Sequence, residues 1–315
     1  MRALVIINPI AGSGRRPEIR ARAALAESIL GGHGCRATVR VTTAPGDARI
    51  FAHEAVADGV ELVVAWGGDG TVNGVASALI GTGVALGIVP AGSGNGLARD
   101  LALPSDPARA LTVAATGTLR AIDAGELHGS LFFNVAGVGL DASIAARLAD
   151  PGARRGLIGY AAATVAELRQ HEPWVYRIQI PASRTTSSVP EERIERRALF
   201  VAFANSRQYG NGARIAPAAR LDDGEIDLVV VEPLSPLRIA ARIPALFLGT
   251  LRNGPGLVMR RAASFAISAD RPIPFHVDGE PRAGAETLAL CVHPGALQVR
   301  VERSEERRVG KECRL

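Results

Sequence analysis

Two glycine-rich turns constrain this chain more than any other feature: Gly67-Gly68-Asp69-Gly70-Thr71-Val72-Asn73 and Pro90-Ala91-Gly92-Ser93-Gly94-Asn95. Each follows a short apolar, β-prone run (residues 62–66 and 84–89), and each opens a helical pattern (residues 72–80 and 96–101). A strand that enters a glycine turn and leaves as a helix is a natural phosphate site. Glycine admits close backbone approach, and the first helical turn has N–H groups without intrahelical partners. Two such turns in tandem, one carrying an acid, point to nucleotide binding.

The pattern around them extends the argument. Residues 3–7 read as a strand, 18–30 as a helix closed by Gly31-Gly32, 36–42 as a strand and 46–58 as a helix. This βαβα rhythm predicts a parallel sheet with helices on both faces and ligands beyond the carboxyl ends of the strands. After about residue 121 the pattern changes. Residues 131–138, 175–180, 198–204, 226–232, 264–268 and 288–292 read as strands, interrupted by a helical stretch at 157–170, which predicts a second, mainly antiparallel β domain. Residues 183–192 are polar and expected to form a hairpin loop. Residues 237–251 are expected to form an amphipathic helix, with Arg238, Arg242 and Arg252 beside Leu237, Ile239, Ile243, Leu246 and Phe247.

The 315 residues are 47% hydrophobic and 21% charged, the composition of a folded globular chain. No apolar run reaches the ~18 residues of a spanning helix, and the apolar start is too short for a secretory signal, so a cytoplasmic protein is expected. Residues 303–315 contain the only lysine, Lys311, and resemble a translated sequencing-adapter oligonucleotide extraneous to the natural chain. Setting aside their five basic residues (Arg303, Arg307, Arg308, Lys311, Arg314) and three acids (Glu305, Glu306, Glu312) leaves 31 basic against 28 acidic side chains, a net charge of +3. That balance does not indicate a nucleic-acid partner. Cys35 and Cys291 form neither a disulfide framework nor a zinc pattern, and both read as small buried residues. The six histidines show no metal-ligand spacing and read as solvated or core residues, with His276 merely near acids.

Several residues carry possible chemistry. Asn8-Pro9-Ile10-Ala11-Gly12-Ser13-Gly14-Arg15-Arg16 is a third strand-then-glycine loop, but it lacks the third glycine of a dinucleotide fingerprint and the Gly-Lys-Ser/Thr of a P-loop. Arg15 and Arg16 either face an anion or are solvated on a surface turn. Asp69 lies between glycines, where the turn requires no side chain. A carboxylate beside a polyphosphate is repulsive unless a divalent cation or water intervenes, so Asp69 implies Mg²⁺; the alternative is an Asx-turn. Ser93 and Asn95 either cap a helix or donate to nucleotide oxygens. Leu221-Asp222-Asp223-Gly224-Glu225 and Val277-Asp278-Gly279-Glu280 each place acids around a glycine and read as turns on spacing alone. The second follows the alternating Phe275-His276-Val277, so Asp278 and Glu280 could emerge together at a cleft. A carboxylate there could take the proton of an attacking hydroxyl.

As a set, these motifs resemble the diacylglycerol kinase catalytic-domain family, which groups bacterial lipid kinases with sphingosine and ceramide kinases. The resemblance runs from about Ala3 to Arg300. It rests on Asn8-Pro9 with Gly12 and Gly14, Val41-Thr42 followed by Gly46-Asp47-Ala48, residues 67–73 and 90–99, Phe133-Asn134-Val135-Ala136-Gly137-Val138-Gly139, residues 217–230, and Asp278-Gly279-Glu280. It implies an α/β fold of two domains: a Rossmann-like nucleotide domain of the NAD kinase and diacylglycerol kinase type (residues 1–121) and an antiparallel β-sandwich lipid domain (122–292). A final strand at 293–302 returns to the first domain.

The resemblance also implies ATP- and Mg²⁺-dependent phosphorylation of a lipid hydroxyl in lipid metabolism, at a site between the two domains. Asn8, Thr42, Gly67, Gly68, Asp69, Gly70, Thr71, Val72, Asn73, Ser93, Gly94 and Asn95 would form the nucleotide site. Asp69 would act through catalytic Mg²⁺ or its waters, with Glu280 as general base and Asp278 supporting it. A structural Mg²⁺ is expected at Asp223 and the carbonyls of Arg220 and Glu225. Many bacterial members have Gly-Thr-Ala-Asn-Asp-Phe where this chain has Gly92-Ser93-Gly94-Asn95-Gly96-Leu97, so Gly96 lacks a carboxylate and the loop looks closer to sphingosine-kinase-like members. Diacylglycerol, a sphingoid base or another lipid thus stay open as acceptors. Peripheral contact with the inner face of a membrane is expected, Arg154-Arg155, Arg238, Arg242 and Arg260-Arg261 being either lipid-facing or merely solvated. A homodimer is left open. The alternatives are NAD kinase-like phosphorylation of a soluble acceptor and a non-catalytic nucleotide- or lipid-binding protein.

Overall fold

The structure, a computed structural model, describes residues 1–11, 16–150, 152, 156–182, 191–210 and 212–303. Gly12, Ser13, Gly14, Arg15, Arg154, Arg155, most of the expected 183–192 loop and the tail from 304 lie outside the described residues, as does the side chain of Arg16. The chain forms two compact units, Met1–Ile122 with Gly295–Leu315, and Asp123–Pro294.

The first unit alternates β1 (Arg2–Ile7), α1 (Arg16–Gly32), β2 (Arg36–Val41), α2 (Asp47–Ala57), β3 (Leu62–Gly67), α3 (Asp69–Leu79), β4 (Ala85–Pro90), α4 (Gly96–Asp100) and α5 (Pro107–Thr116). Its strands are parallel in the order β2-β1-β3-β4. Every residue of β3 is buried, as are five of the six in β1, because parallel strands are covered on both faces. Leu30 of α1 and Leu111 of α5 pack with Val5, Val64 and Trp66. A Cβ on Gly87 of β4 would stand 2.7 Å from that of Ala114, so this glycine lets α5 lie against the sheet. The winding direction changes between β1 and β3. Asn8 and the Gly67–Asp69 segment therefore follow the two strands that flank the switch point, where open α/β sheets bind ligands.

The strand β5 (Thr118–Leu127) carries the chain into the second unit. There follow β6 (Ser130–Phe132), β7 (Val135–Gly139), α6 (Leu140–Ala149), α7 (Gly156–Leu168), β8 (Trp174–Ile180), β9 (Glu192–Ala198), β10 (Phe200–Ala204), β11 (Gln208–Gly210) and β12 (Ala213–Arg214). Then come β13 (Ile226–Val231), α8 (Pro236–Leu248), β14 (Leu257–Ala262), β15 (Ser264–Ser268), β16 (Phe275–Val277), β17 (Glu280–Arg282) and β18 (Thr287–Val301). One antiparallel sheet runs β14-β13-β10-β7-β16-β17; the facing layer contains β15, β8, β9 and the first part of β18. Phe203, Val201, Val138 and Phe275 from one layer and Tyr176, Ile178, Phe265 and Leu288 from the other share one buried core, which is the packing of a β-sandwich.

Three local expectations change. Residues 131–138 are two strands, because Phe133, Asn134 and Val135 turn their amides onto the Asp278 carboxylate at 3.0, 2.9 and 3.0 Å. Residues 288–292 and 296–301 belong to one strand, β18, which pairs with β15 early (Leu288↔Ile267) and with β4 late (Val299↔Leu86). Cys35 is buried, but Cys291 is exposed, because it lies on the outward-facing positions of β18.

Gly125 of β5 faces Phe132 of β6, and a Cβ there would meet the ring at 2.1 Å. Gly125→Ala is therefore expected to cost about 1–3 kcal/mol by overpacking. Adding Phe132→Leu should recover part of that loss in chemical denaturation; strictly additive losses would contradict the assignment.

Candidate functional site

Asp69 is the first residue of α3, and its carboxylate reaches the other glycine loop. Asn95 N donates to Oδ2 and Gly96 N to Oδ1, each at 2.8 Å. The carboxylate thus caps α4 from outside that helix's own segment. Asn95 occupies the N-cap position of α4 with φ of 52°, but its side chain turns back, Oδ1 accepting from Gly92 N at 2.9 Å and Nδ2 donating to Gly92 O at 2.7 Å. The expectation that the turn does not need the Asp69 side chain is therefore corrected: it ties the two loops together. Burial pushes the Asp69 carboxyl above the ordinary aspartate range, and the Gly96 and Asn95 amides and Arg99 draw it partly back.

The loops also meet through their backbones. Ala91 N donates to Gly67 O at 2.8 Å. A Cβ on Gly92 would lie 2.6 Å from the Gly68 Cα, and one on Gly94 would lie 2.8 Å from Asp69 Oδ2. Those contacts require glycine by volume alone.

The other positions named for the nucleotide site brace this junction more than they project from it. Asn8 Nδ2 donates to Thr71 Oγ1 at 2.9 Å, and Asn73 Oδ1 accepts from Ser77 Oγ at 3.3 Å. Thr42 is buried at the end of β2, its amide donating to Ile7 O at 3.0 Å, while Val72 is buried in α3. Ser93 and Gly70 are exposed. The first i→i−4 bond of α3 is Val72 N to Gly68 O at 3.0 Å, so the amides of Asp69, Gly70 and Thr71 have no carbonyl within their helix. Main-chain donors of this kind suit an anionic oxygen.

In the second unit, Asp278-Gly279 forms the two-residue turn between β16 and β17, with φ of 49° and 85°. Positive φ at both positions is the type I′ geometry that matches hairpin twist. Besides accepting from three successive amides, Asp278 donates its own N–H to Val135 O at 2.9 Å. Glu280 opens β17 half-exposed, and its Oε2 accepts from Arg282 Nη2 at 2.8 Å. Beneath the turn lies a contact the sequence did not reveal. His276, fully buried, places Nε2 2.6 Å from Asp141 Oδ2, and Gly279 N donates to its Nδ1 at 3.2 Å. Burial lowers the His276 pKa, but Asp141 and then Asp278 raise it more. The Gly279 donor needs a lone pair on Nδ1, so these contacts select the imidazole with its hydrogen on Nε2.

A third cluster surrounds Arg261. Its Nη2 lies 3.1 Å from Asp227 Oδ2, Nη1 lies 3.5 Å from Asp223 Oδ2, and Nε lies 3.9 Å from Glu225 Oε2. Asp223 Oδ1 accepts from Glu225 N at 3.2 Å, but Oδ2 is buried without a hydrogen-bond donor. Three carboxylates around one guanidinium leave negative charge in excess, and the orphaned oxygen suits a hard cation. Arg220 lies 3.5 Å from Asp222 at the edge of this loop. Of the arginines read as either lipid-facing or solvated, Arg261 is therefore engaged internally. So are Arg260, whose Nε donates to both Glu192 oxygens at 2.8 Å, and Arg242, which donates to Pro255 O.

Residues 2–127 match the diacylglycerol kinase catalytic domain, and residues 134–301 match the YegS C-terminal NAD kinase beta sandwich-like domain. A protein of Pseudomonas aeruginosa PAO1 named "Probable lipid kinase YegS-like" is 34% identical over 273 residues, 84% of this chain and 85% of that one. A protein of Klebsiella pneumoniae 342 with the same name is 32% identical over 307 residues, 95% of each chain. The chain belongs to the YegS-like lipid kinase family.

A solved structure of a diacylglycerol kinase from Bacillus anthracis str. Sterne has the same fold, with a TM-score of 0.71 and 19% identity over 96% of this chain and 97% of that one. In this YegS-like chain, the place where the resemblance lacks a loop carboxylate is Gly96, whose amide is bound by Asp69.

Asn suits the positive φ at position 278 but offers a single acceptor oxygen. Asp278→Asn is thus expected to lose about 1–3 kcal/mol, read as a thermal midpoint lower by several degrees. An unchanged midpoint would deny Asp278 a bracing role. Asp69→Asn would turn an amide N–H₂ toward Asn95 N or Gly96 N. It is expected to weaken nucleotide binding in calorimetry while the second unit keeps its unfolding transition.

Proposed function

We propose that this protein is an ATP- and Mg²⁺-dependent lipid kinase that transfers the γ-phosphate to a lipid hydroxyl, whether of diacylglycerol, a sphingoid base or a related lipid. The observation that carries the reading is the α3 start, where first-turn amides without a carbonyl partner in their own helix stand beside an acid that joins both glycine loops. Those amides would bind phosphate oxygens, and the loop junction would hold them in place before the reaction. Phosphoryl transfer depends mainly on such positioning and on charge neutralisation.

Glu280, held by Arg282, would accept the proton of the acceptor hydroxyl as its oxygen bonds to the γ-phosphorus. The bond from that phosphorus to the bridging oxygen breaks, and ADP leaves. Asp278 and the His276–Asp141 pair act through the hairpin they hold, so they are positioning residues. Asp69 offers one carboxylate to a nucleotide-bound cation, a donor set that fits Mg²⁺ completed by phosphates. Asp223, with the carbonyls of Arg220 and Glu225, would hold a second, structural cation. When bound, Mg²⁺ would neutralise polyphosphate charge.

A lipid acceptor is supported by α8, which leaves Leu237, Ile243, Phe247 and Leu248 exposed, Leu237 at 83% and Leu248 at 71%, beside exposed Arg238. No helix among the described residues is long and apolar enough to cross a membrane. Contact with a bilayer through α8 would therefore be peripheral. Phe247→Glu with Leu248→Glu is expected to reduce cosedimentation with anionic vesicles and leave the melting profile unchanged. Equal cosedimentation would remove α8 from the membrane reading.

The direct test supplies Mg²⁺ and γ-labelled ATP with mixed micelles of diacylglycerol, sphingosine, ceramide or phosphatidylglycerol, and NAD as a soluble acceptor. Label is expected in one lipid, with Glu280→Gln slower by about 10²–10⁴-fold and nucleotide binding retained. Label only in NAD would replace the lipid reading with a soluble-acceptor kinase. Nucleotide binding without label in any acceptor would favour a binding role.

A further inference from the structure

Among the described residues, one cluster of metal-ligating side chains uses none of the residues given a role above. Cys291 and His293 are two positions apart in β18, a spacing that puts both side chains on one face of a strand. Glu126 of β5 faces them, its Oε2 2.7 Å from His293 Nε2, and Cys291 Sγ lies 3.9 Å from the same nitrogen. The three ligand atoms all fall within 4.8 Å of one another. The strands are joined close by, where His128 N donates to Ala289 O at 2.8 Å. Cys291 is exposed, and the His293 and Glu126 side chains are 41% and 34% exposed, so the cluster is open to ions from solvent.

We propose that Glu126, Cys291 and His293 form a binding site for a zinc-class divalent ion, with three protein ligands and a fourth position open to solvent. The distances favour it. Tetrahedral zinc with ordinary bond lengths to sulfur, nitrogen and oxygen places neighbouring ligand atoms about 3.4–3.6 Å apart. The observed 3.9 and 2.7 Å bracket that range. Opening the His–Glu pair by about 0.7 Å and closing the thiol by about 0.3 Å would reach it, which side-chain rotation on a surface strand supplies. The donors select the ion: thiolate and imidazole suit zinc and its neighbours, whereas Mg²⁺ takes oxygen ligands. On binding, the thiol hydrogen leaves as a proton. The single imidazole hydrogen passes from Nε2 to Nδ1, freeing the Nε2 lone pair for the metal. The ion would tie β5 to β18, the two strands in which the chain passes between its units.

Co²⁺ titration of the full, reduced chain tests the site without reference to kinase activity. One sulfur-ligated Co²⁺ per chain is expected, read from a near-ultraviolet sulfur-to-cobalt charge-transfer band that Zn²⁺ removes and excess Mg²⁺, which would fill oxygen-only sites, does not. Cys291→Ser should abolish the band and His293→Ala should weaken Co²⁺ binding about ten-fold or more, since even outer-shell partners are worth that much. Cys35→Ser and Cys313→Ser should retain it. Glu126→Gln gives a second variant, expected to weaken binding, and metal-free melting profiles check that each variant is folded. Absence of the band from the unaltered chain, or its persistence in folded Cys291→Ser, would overturn the proposal.

Discussion

The carboxylate of Asp69 accepts one main-chain hydrogen from Asn95 and one from Gly96, and the junction of the two glycine loops rests on that pair of bonds. Hydrogen bonds to a charged group are worth about 1.5–3 kcal/mol each, enough to fix two short loops that have few side chains of their own. With the acid in place, Gly68 and Gly92 can stack backbone on backbone, and α4 starts with its first amide bound. The cost is a carboxylate drawn out of water, which burial pushes toward its neutral form. Asp69 is thus both the support of the junction and its most electrostatically stressed member.

The second unit solves a similar problem in a similar way. Asp278 gathers three amides, interrupts what would otherwise be a continuous strand from 131 to 138, and fixes the hairpin that presents Glu280. His276 supports the same turn from within the core. At the Asp223 loop, Arg261 is the shared counter-charge of three acids, so an arginine that looks like a surface residue in sequence is structural.

What could be read from the sequence was local. Apolar runs with glycine ends mark β3 and β4, and alternation marks β8 and β15. β9 escaped because Arg193, Glu195, Arg196 and Arg197 give it a solvent-like composition, with only Ile194 and Ala198 buried at regular spacing. The site residues at the glycine turns and the Asp-Gly turn were named by motif, but their partners are remote. Asp69 binds amides 26 and 27 positions on, and Asp278 binds amides 143 to 145 positions back. The Cys291–His293 pair had a period-2 signal, but Glu126 lies 167 positions before His293, and no local spacing rule reaches that far.

The glycine seam bears on how such chains diverge. At Gly67, Gly92 and Gly94 a methyl group would collide with neighbouring atoms and at Gly68 it would crowd Gly92, so selection for a folded loop junction is enough to preserve the pattern. A descendant that had abandoned catalysis would keep this signature unchanged. Glu280 is different: half-exposed and held by one arginine, it can drift at little structural cost. In this architecture the motif by which kinship is recognised records packing, whereas the base of the proposed reaction is a residue the fold does not need.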